Sequence, residues 1–205
     1  MRNKKRIYYA TIVLLVAIVI IIALALAVPT NAAEPIWTNK QECLHQMAQI
    51  AREAGYTEDS ELIQTLQKLW WEEQDALNII AKTVKNEAAG VPGAQWCPEW
   101  HQVAVAQIIV NRTRLDGFPN TVRGVVSQVL PSGYYAYNPA YCENFSGIEA
   151  HYYEVAKYVL DGNAEMEVPA DVVYQDNQPH GEIWKTSYVD TGWFSSMTYF
   201  CRGVK

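Results

Sequence analysis

Glu87 is a carboxylate at a position where an apolar side chain is expected. Leu77, Ile80 and Val84 are spaced three and four apart, so they share one face of a helix, and Glu87 is the next position on that face. Burying a carboxylate without a partner is costly, so a glutamate continuing an apolar stripe is unusual. Gly90 and Pro92 then stop the helix, which puts Glu87 at a helix end where the chain opens into a loop. Partial desolvation raises a carboxyl pKa, and a raised pKa makes a general acid usable near neutral pH. The competing reading is a frayed helix end with Glu87 turned into solvent; structural networks also place carboxylates in odd positions.

The other reactive side chains are less directive. His45, His101, His151 and His180 are not spaced like metal ligands, and there is no C-x-x-C, so no metal and no cofactor are expected. No second carboxylate is placed opposite Glu87 by its spacing; Glu99, Glu143 and Asp176 are near it only in chain order. Seven Trp and 13 Tyr suit a cleft that stacks on sugar rings, and suit an ordinary packed core equally well.

The compartment follows from the first residues. MRNKKR carries four positive charges, and Ile7 to Val28 then runs 22 residues without a charge. At about 1.5 Å per residue that run is long enough to cross a bilayer as a helix. Its length favours an uncleaved anchor, whereas the small residues of Pro29-Thr-Asn-Ala-Ala33 favour cleavage as a signal peptide. Either way the basic end stays inside and residues from about 34 onward are exported. Of 16 Lys and Arg, 4 precede residue 34, leaving 12 against 22 Asp and Glu in the exported part. Such an acidic balance argues against nucleic acid or an anionic membrane surface as partner. Four cysteines in an exported chain point to disulfides; of the three possible pairings, Cys97 with Cys142 and Cys43 with Cys201 is the expected one.

Several helices must position Glu87. Asn39 to Ala54 reads as a helix with Leu44, Met47, Ile50 and Ala51 as its stripe and Gly55 as its stop. A second begins near Glu58 to Ser60 and carries Leu62, Leu66 and Leu69; Trp70 to Glu73 is either a joint or continuous helix leading to Glu87. Glu99 to Arg114 is a third, with Val103, Ala106, Gln107 and Val110 on one face and Arg112 suited to the helix dipole at its end. Asn120 is the expected N-cap of a helix holding Val122, Val125, Val126 and Val129. Residues 133 to 145 form a Tyr-rich loop, read as a cleft wall. Ser146-Gly-Ile-Glu149 has the pattern of a capping box and opens a helix with Tyr152, Val155, Ala156 and Val159 inward, closed by Gly162. Val172 to Tyr174 and Met197 to Phe200 read as strands, with a polar stretch holding Asp176, His180 and Asp190 between them.

From Glu87 to Phe200 the ordered set of segments resembles the SleB/CwlJ cell-wall hydrolase family, whose best known members are spore-cortex lytic enzymes. The segments are Asn86-Glu-Ala-Ala-Gly90, Gln102-Val-Ala-Val-Ala106 running into Val110-Asn-Arg112, Gly117-Phe-Pro-Asn-Thr-Val122, Val125-Val126, Ala156 to Gly162, Val173-Tyr174 and Tyr199-Phe200. They span about 115 of 205 residues. The resemblance implies an α+β, mostly helical, lysozyme- or transglycosylase-like domain with a small C-terminal β element, preceded by the N-terminal hydrophobic helix. It divides the chain into a signal peptide or anchor (1–33), a helical leader (34–73) and a catalytic domain (74–205). It implies a lytic transglycosylase cutting peptidoglycan between N-acetylmuramic acid and N-acetylglucosamine, with Glu87 as the acid; Tyr174, Trp184 and Tyr199 are read as residues of its cleft, with core packing as the competing role of each. A muramidase, an N-acetylmuramoyl-L-alanine amidase or a membrane-tethered glycan-binding module are the alternatives. Two departures stand out: members commonly carry Glu-Ala-Arg-Gly where this chain has Glu-Ala-Ala-Gly, and the segment around Cys97 is an insertion.

Overall fold

The computed structural model describes residues 36–88, 90–91, 94–95, 97–130, 133, 135–137, 148–190 and 195–203. The hydrophobic run Ile7 to Val28, Cys142, Glu143 and most of the Tyr-rich loop lie outside them. Among the described residues no helix is long and apolar enough to cross a membrane. The fold is mixed: helices with one small antiparallel sheet of three strands. The chain divides into two compact units, Met1–Glu72 and Glu73–Lys205.

In the first unit, helix α1 spans Asn39–Glu53. Thr38 caps it: its hydroxyl accepts from the Gln41 backbone N–H while the Gln41 side chain accepts from the Thr38 N–H, a capping box. Leu44, Ala48 and Ala51 pack with Ile63 and Leu66 as a small core. Helix α2 runs unbroken over Glu61–Glu87, so Trp70 to Glu73 is continuous helix and not a joint.

The second unit holds the larger core. Leu77, Ile80 and Val84 of α2 are fully buried, as their spacing requires, and Ala81 and Ala88 join them. Burying a side chain the size of Leu or Ile is worth roughly 1.5–3 kcal/mol, so the last turns of α2 are held by several such contacts. The stretch around Cys97 begins as a short antiparallel ribbon, β1 (Gly90–Val91) against β2 (Ala94–Gln95). Helix α3, Glu99–Thr113, is the central element: every residue from His101 to Arg112 is buried. Its polar side chains therefore need internal partners. Gln107 donates to Asn111 Oδ1 at 2.8 Å, Asn111 donates to the carbonyls of Pro169 and Val172 at 2.9 Å each, and Arg112 Nε donates to the Val173 carbonyl at 2.7 Å. The guanidinium also lies over the rings of Phe118, Tyr137 and Tyr174. Arg112 is thus a latch from helix to strand, beyond the helix-dipole role its position suggests.

Short helix α4 is Val122–Val126, capped by Thr121, whose hydroxyl accepts from Gly124, and not by Asn120. Val129 falls beyond it and bridges to Tyr135. Helix α5, Ala150–Leu160, buries Tyr152, Val155, Ala156 and Val159 as their period predicts. Its N-cap is Glu149, without a side-chain cap, because that carboxylate reaches Lys85 of α2 at 2.9 Å. The Lys85 ammonium holds the Glu149 carboxyl below its ordinary range. A left-handed Gly162 ends the helix at φ 82° and leads into a 3₁₀ turn, Asn163–Met166.

The sheet is β3 (Val172–Asp176), β4 (Ile183–Asp190) and β5 (Ser195–Arg202), ordered β3-β5-β4 with β5 central. Bulges interrupt the register at Val172/Tyr174 and at Ile183/Lys185. Phe200 is the sheet's main plug in the helical core.

Among the described residues the expected disulfides are not seen. Cys43, Cys97 and Cys201 are free thiols, and Cys142 lies outside the described residues. Cys43 lies in the first unit with its sulfur against Met47 Sδ at 3.9 Å, while Cys201 is buried in the central strand of the other.

Candidate active site

Glu87 is the last residue of α2, half-buried where the helix ends. The Asn86 amide donates to its Oε1 at 3.0 Å. Among the described residues no cation pairs with it. Burial pushes its carboxyl above the ordinary range, and the Asn86 hydrogen bond pulls back only in part. The result is a carboxyl biased toward keeping its proton.

The turn that carries Glu87 is tied to α3 and α5 through one buried amide. Gln102, 1% exposed, directs its Nε2 to the Ala88 carbonyl at 3.5 Å, a long contact, and its Oε1 meets His151 Nε2 at 2.5 Å. His151 in turn lines a groove of about 500 Å³ between α3 and α5. Glu99, Trp100 and Val103 form one wall; His151, Glu154, Val155 and Tyr158 form the other, with Glu167 beyond α5. Glu87 is not among its lining residues, so this groove and the acid are linked through Gln102.

The three expected cleft aromatics separate. Tyr174 and Asp176 alternate on β3, and Asp176 pairs in register with Tyr199, so Tyr174 and Tyr199 share a sheet face. Asp176 binds His180 Nε2 at 2.8 Å there, and the His180 ring lies 6.1 Å from Tyr174. Trp184 instead packs on the main core, edge-on to Phe200 at 6.5 Å. No hydrogen bond or ring contact among the described residues joins Glu87 to any of the three. Of the Tyr-rich loop, Tyr137 is buried in the core under Arg112 and Tyr135 is half exposed.

The groove was visible in the sequence only as a second helix face. His151, Glu154, Val155 and Tyr158 follow a 0, 3, 4, 7 spacing, the pattern of one face of α5, but the neighbouring stripe Tyr152, Ala156 and Val159 is more apolar and dominates the reading. Among the described residues no three His, Cys, Asp or Glu side chains are grouped to hold a metal ion.

The family model of cell wall hydrolases matches residues 98–200, from the start of α3 to the core strand β5. The chain belongs to the cell wall hydrolase family. Peptidoglycan is the substrate class that membership indicates, and the chain is an enzyme of peptidoglycan breakdown. The matched stretch covers the groove, Tyr174, Trp184 and Tyr199; Glu87 precedes it by 11 residues. The case for Glu87 in this family member therefore rests on its own surroundings. No curated protein and no solved structure matches the chain.

Proposed function

We propose that this cell wall hydrolase is a lytic transglycosylase of lysozyme-like α+β build, with Glu87 as its single acid and base. The observation that carries the reading is the state of that carboxyl: half-dry, at an anchored helix end, with no cation beside it among the described residues. Protonated Glu87 donates to the glycosidic oxygen between N-acetylmuramic acid and N-acetylglucosamine as the C1–O bond breaks. The carboxylate so formed takes the proton of the muramoyl C6 hydroxyl, whose oxygen bonds to C1 and closes a 1,6-anhydro ring. The proton count balances and no water is consumed. General acid–base transfer is worth about 10²–10⁴-fold, so binding and distortion of the sugar supply the remainder. Tyr174, Trp184 and Tyr199 are the proposed sugar contacts; Tyr174 and Tyr199 share one sheet face, and Trp184, half-buried, is edge-on to Phe200.

One carboxylate suffices for this route, whereas hydrolysis usually takes two at a defined separation. Of the candidate second acids, Glu99 lines the groove and Asp176 is engaged with His180, while Glu143 lies outside the described residues. The deciding experiment digests purified sacculi with the enzyme and identifies the ends by mass spectrometry. Anhydro-muramic ends are expected. Reducing ends make it a muramidase, freed peptides an amidase, and binding without release a glycan-binding module.

We also place residues 1–33 as a signal peptide or anchor, 34–73 as a leader and 74–205 as the catalytic domain, exported to the cell envelope. Recovery of the full chain in the cytoplasmic fraction would remove that placement.

A further inference from the structure

Asn86 stands beside the acid, and the mechanism above gives it no part. Its amide Nδ2 donates to Glu87 Oε1 at 3.0 Å, and both side chains are half-buried. A regular helix does not supply that contact. Successive side chains of a helix point about 100° apart, and those that meet on its surface are three and four residues apart. Here the helix ends at Glu87, and the amide reaches across its last turn. Asn is also a poorer helix former than Ala, Lys or Gln, so helix propensity gives no reason for it at this position.

A group that is acid and then base within one turnover needs a particular neighbour. A Lys or Arg would favour the carboxylate and strip the proton that the first step needs. An Asp or Glu would repel the carboxylate that the first step leaves. An uncharged N–H donor suits both states, because the carbonyl oxygen of the acid accepts from it and so does the carboxylate. It also separates the two oxygens: with Oε1 taken by the amide, the proton of the neutral carboxyl sits on Oε2. The charged and titratable groups of the neighbouring elements do not compete for this carboxyl among the described residues. Lys85 of α2 pairs with Glu149 at the head of α5, and His151 of α5 meets Gln102. On α3, Glu99 lines the groove and His101 packs on Phe200.

We propose that Asn86 is a positioning residue of this reaction: its amide holds Glu87 Oε1 in both protonation states, so that Oε2 delivers the proton to the glycosidic oxygen and then takes the one from the muramoyl C6 hydroxyl. This rests on the reading of Glu87 as the single acid and base. The hydrogen bond orients the carboxyl without overriding burial, since that carboxyl stays above its ordinary range with the Asn86 amide in place.

The test follows Glu87 itself, by carbon NMR of its carboxyl in the full chain, beside the pH profile of kcat/KM on soluble peptidoglycan strands. Asn86→Leu keeps the size of the side chain and removes the donor. The Glu87 titration and the alkaline limb are expected to move together to higher pH by about one unit, because a hydrogen bond that favours the charged form is lost. The value of kcat is expected to fall roughly tenfold with KM held, as the carboxyl loses its orientation. Asn86→Asp, which puts a like charge in the same shape, is expected to move both further upward, and it serves where the leucine variant does not fold. A titration and a pH profile unchanged in a folded variant overturn the proposal, and so does a shifted titration with kcat unchanged. Turnover that survives Glu87→Gln overturns the underlying reading, and the role of Asn86 with it. Turnover lost in Glu87→Gln but a profile unmoved in Asn86→Leu removes the Asn86 proposal alone.

Discussion

Glu87 and His101 are both titratable side chains of the second unit that burial biases toward the neutral form, one at the end of α2 and the other near the start of α3. Burial raises the carboxyl of Glu87 and pushes the imidazole of His101 down to about 4. Their settings differ. Glu87 is half-buried, hydrogen-bonded to Asn86, and followed by a break in the helix. His101 is 2% exposed, packed against Trp100 and Phe200, and neither ring nitrogen has a partner among the described residues. The same desolvation favours a proton-bearing carboxyl where the chain opens and leaves a weak point where it does not. A shifted pKa becomes chemistry only at a surface a substrate can reach.

The contrast breaks most sharply at Glu87. Glu87→Gln is expected to lower turnover of purified peptidoglycan by about 10²–10⁴-fold or more with unchanged circular dichroism. Near-wild-type turnover in a folded variant would refute the assignment. The pH profile carries the same information. A raised carboxyl pKa means that the protonated form is lost as pH rises through it, so with Glu87 as the acid an alkaline limb of kcat/KM set by this residue is expected. An alkaline limb that moves with a histidine substitution instead points elsewhere.

His101 gives the next largest effect, on stability. Its folded pKa, about 4, lies below the ordinary 6.5, so the fold favours the uncharged ring. The contribution is fully present above the unfolded value and is lost as pH falls from 6.5 toward 4. At pH 4 the loss is on the order of 3 kcal/mol, since each tenfold difference in proton affinity between the folded and unfolded chain is worth about 1.36 kcal/mol. His101→Phe keeps an aromatic ring there and removes the titration. Urea midpoints at pH 7 and pH 4 should converge in that variant; an unchanged gap would assign the acid sensitivity to other groups.

The smallest effect tests the link between the end of α2 and the groove. Gln102→Leu leaves the Ala88 carbonyl and His151 without their partner, a cost of about 1–3 kcal/mol in stability for a buried polar group. If Gln102 positions the Glu87 turn, kcat falls roughly tenfold, an activation cost of about 1.4 kcal/mol. KM is then held and the alkaline limb is displaced. Loss of stability with kcat and the pH profile unchanged would make Gln102 a core contact only.

Much of this was legible residue by residue. Leu77, Ile80 and Val84 had to share a face and Glu87 had to follow them, because helix periodicity is set by the local backbone. Gly162 as a stop and the stripe of α5 are local in the same sense. Strand β4 was missed because it has no apolar alternation of its own: Ile183 and Tyr188 are exposed, and the strand exists through its pairing with β5. The two cysteines expected to pair, Cys43 and Cys201, illustrate the same limit, since an even count says nothing about which sulfurs approach each other.

By itself, then, the sequence determined where most of the helices form, which faces α5 and the end of α2 bury, and that one glutamate ends an apolar stripe. Only the tertiary structure decided that α3 is buried all round, that Arg112 and Asn111 reach the backbone near β3, and that Glu99, Glu154 and Glu167 converge on one groove. The reason is range. A helix face is written within four residues of itself, whereas a groove joins faces far apart in the chain, from Glu99 to Glu167, with no period relating one face to the other.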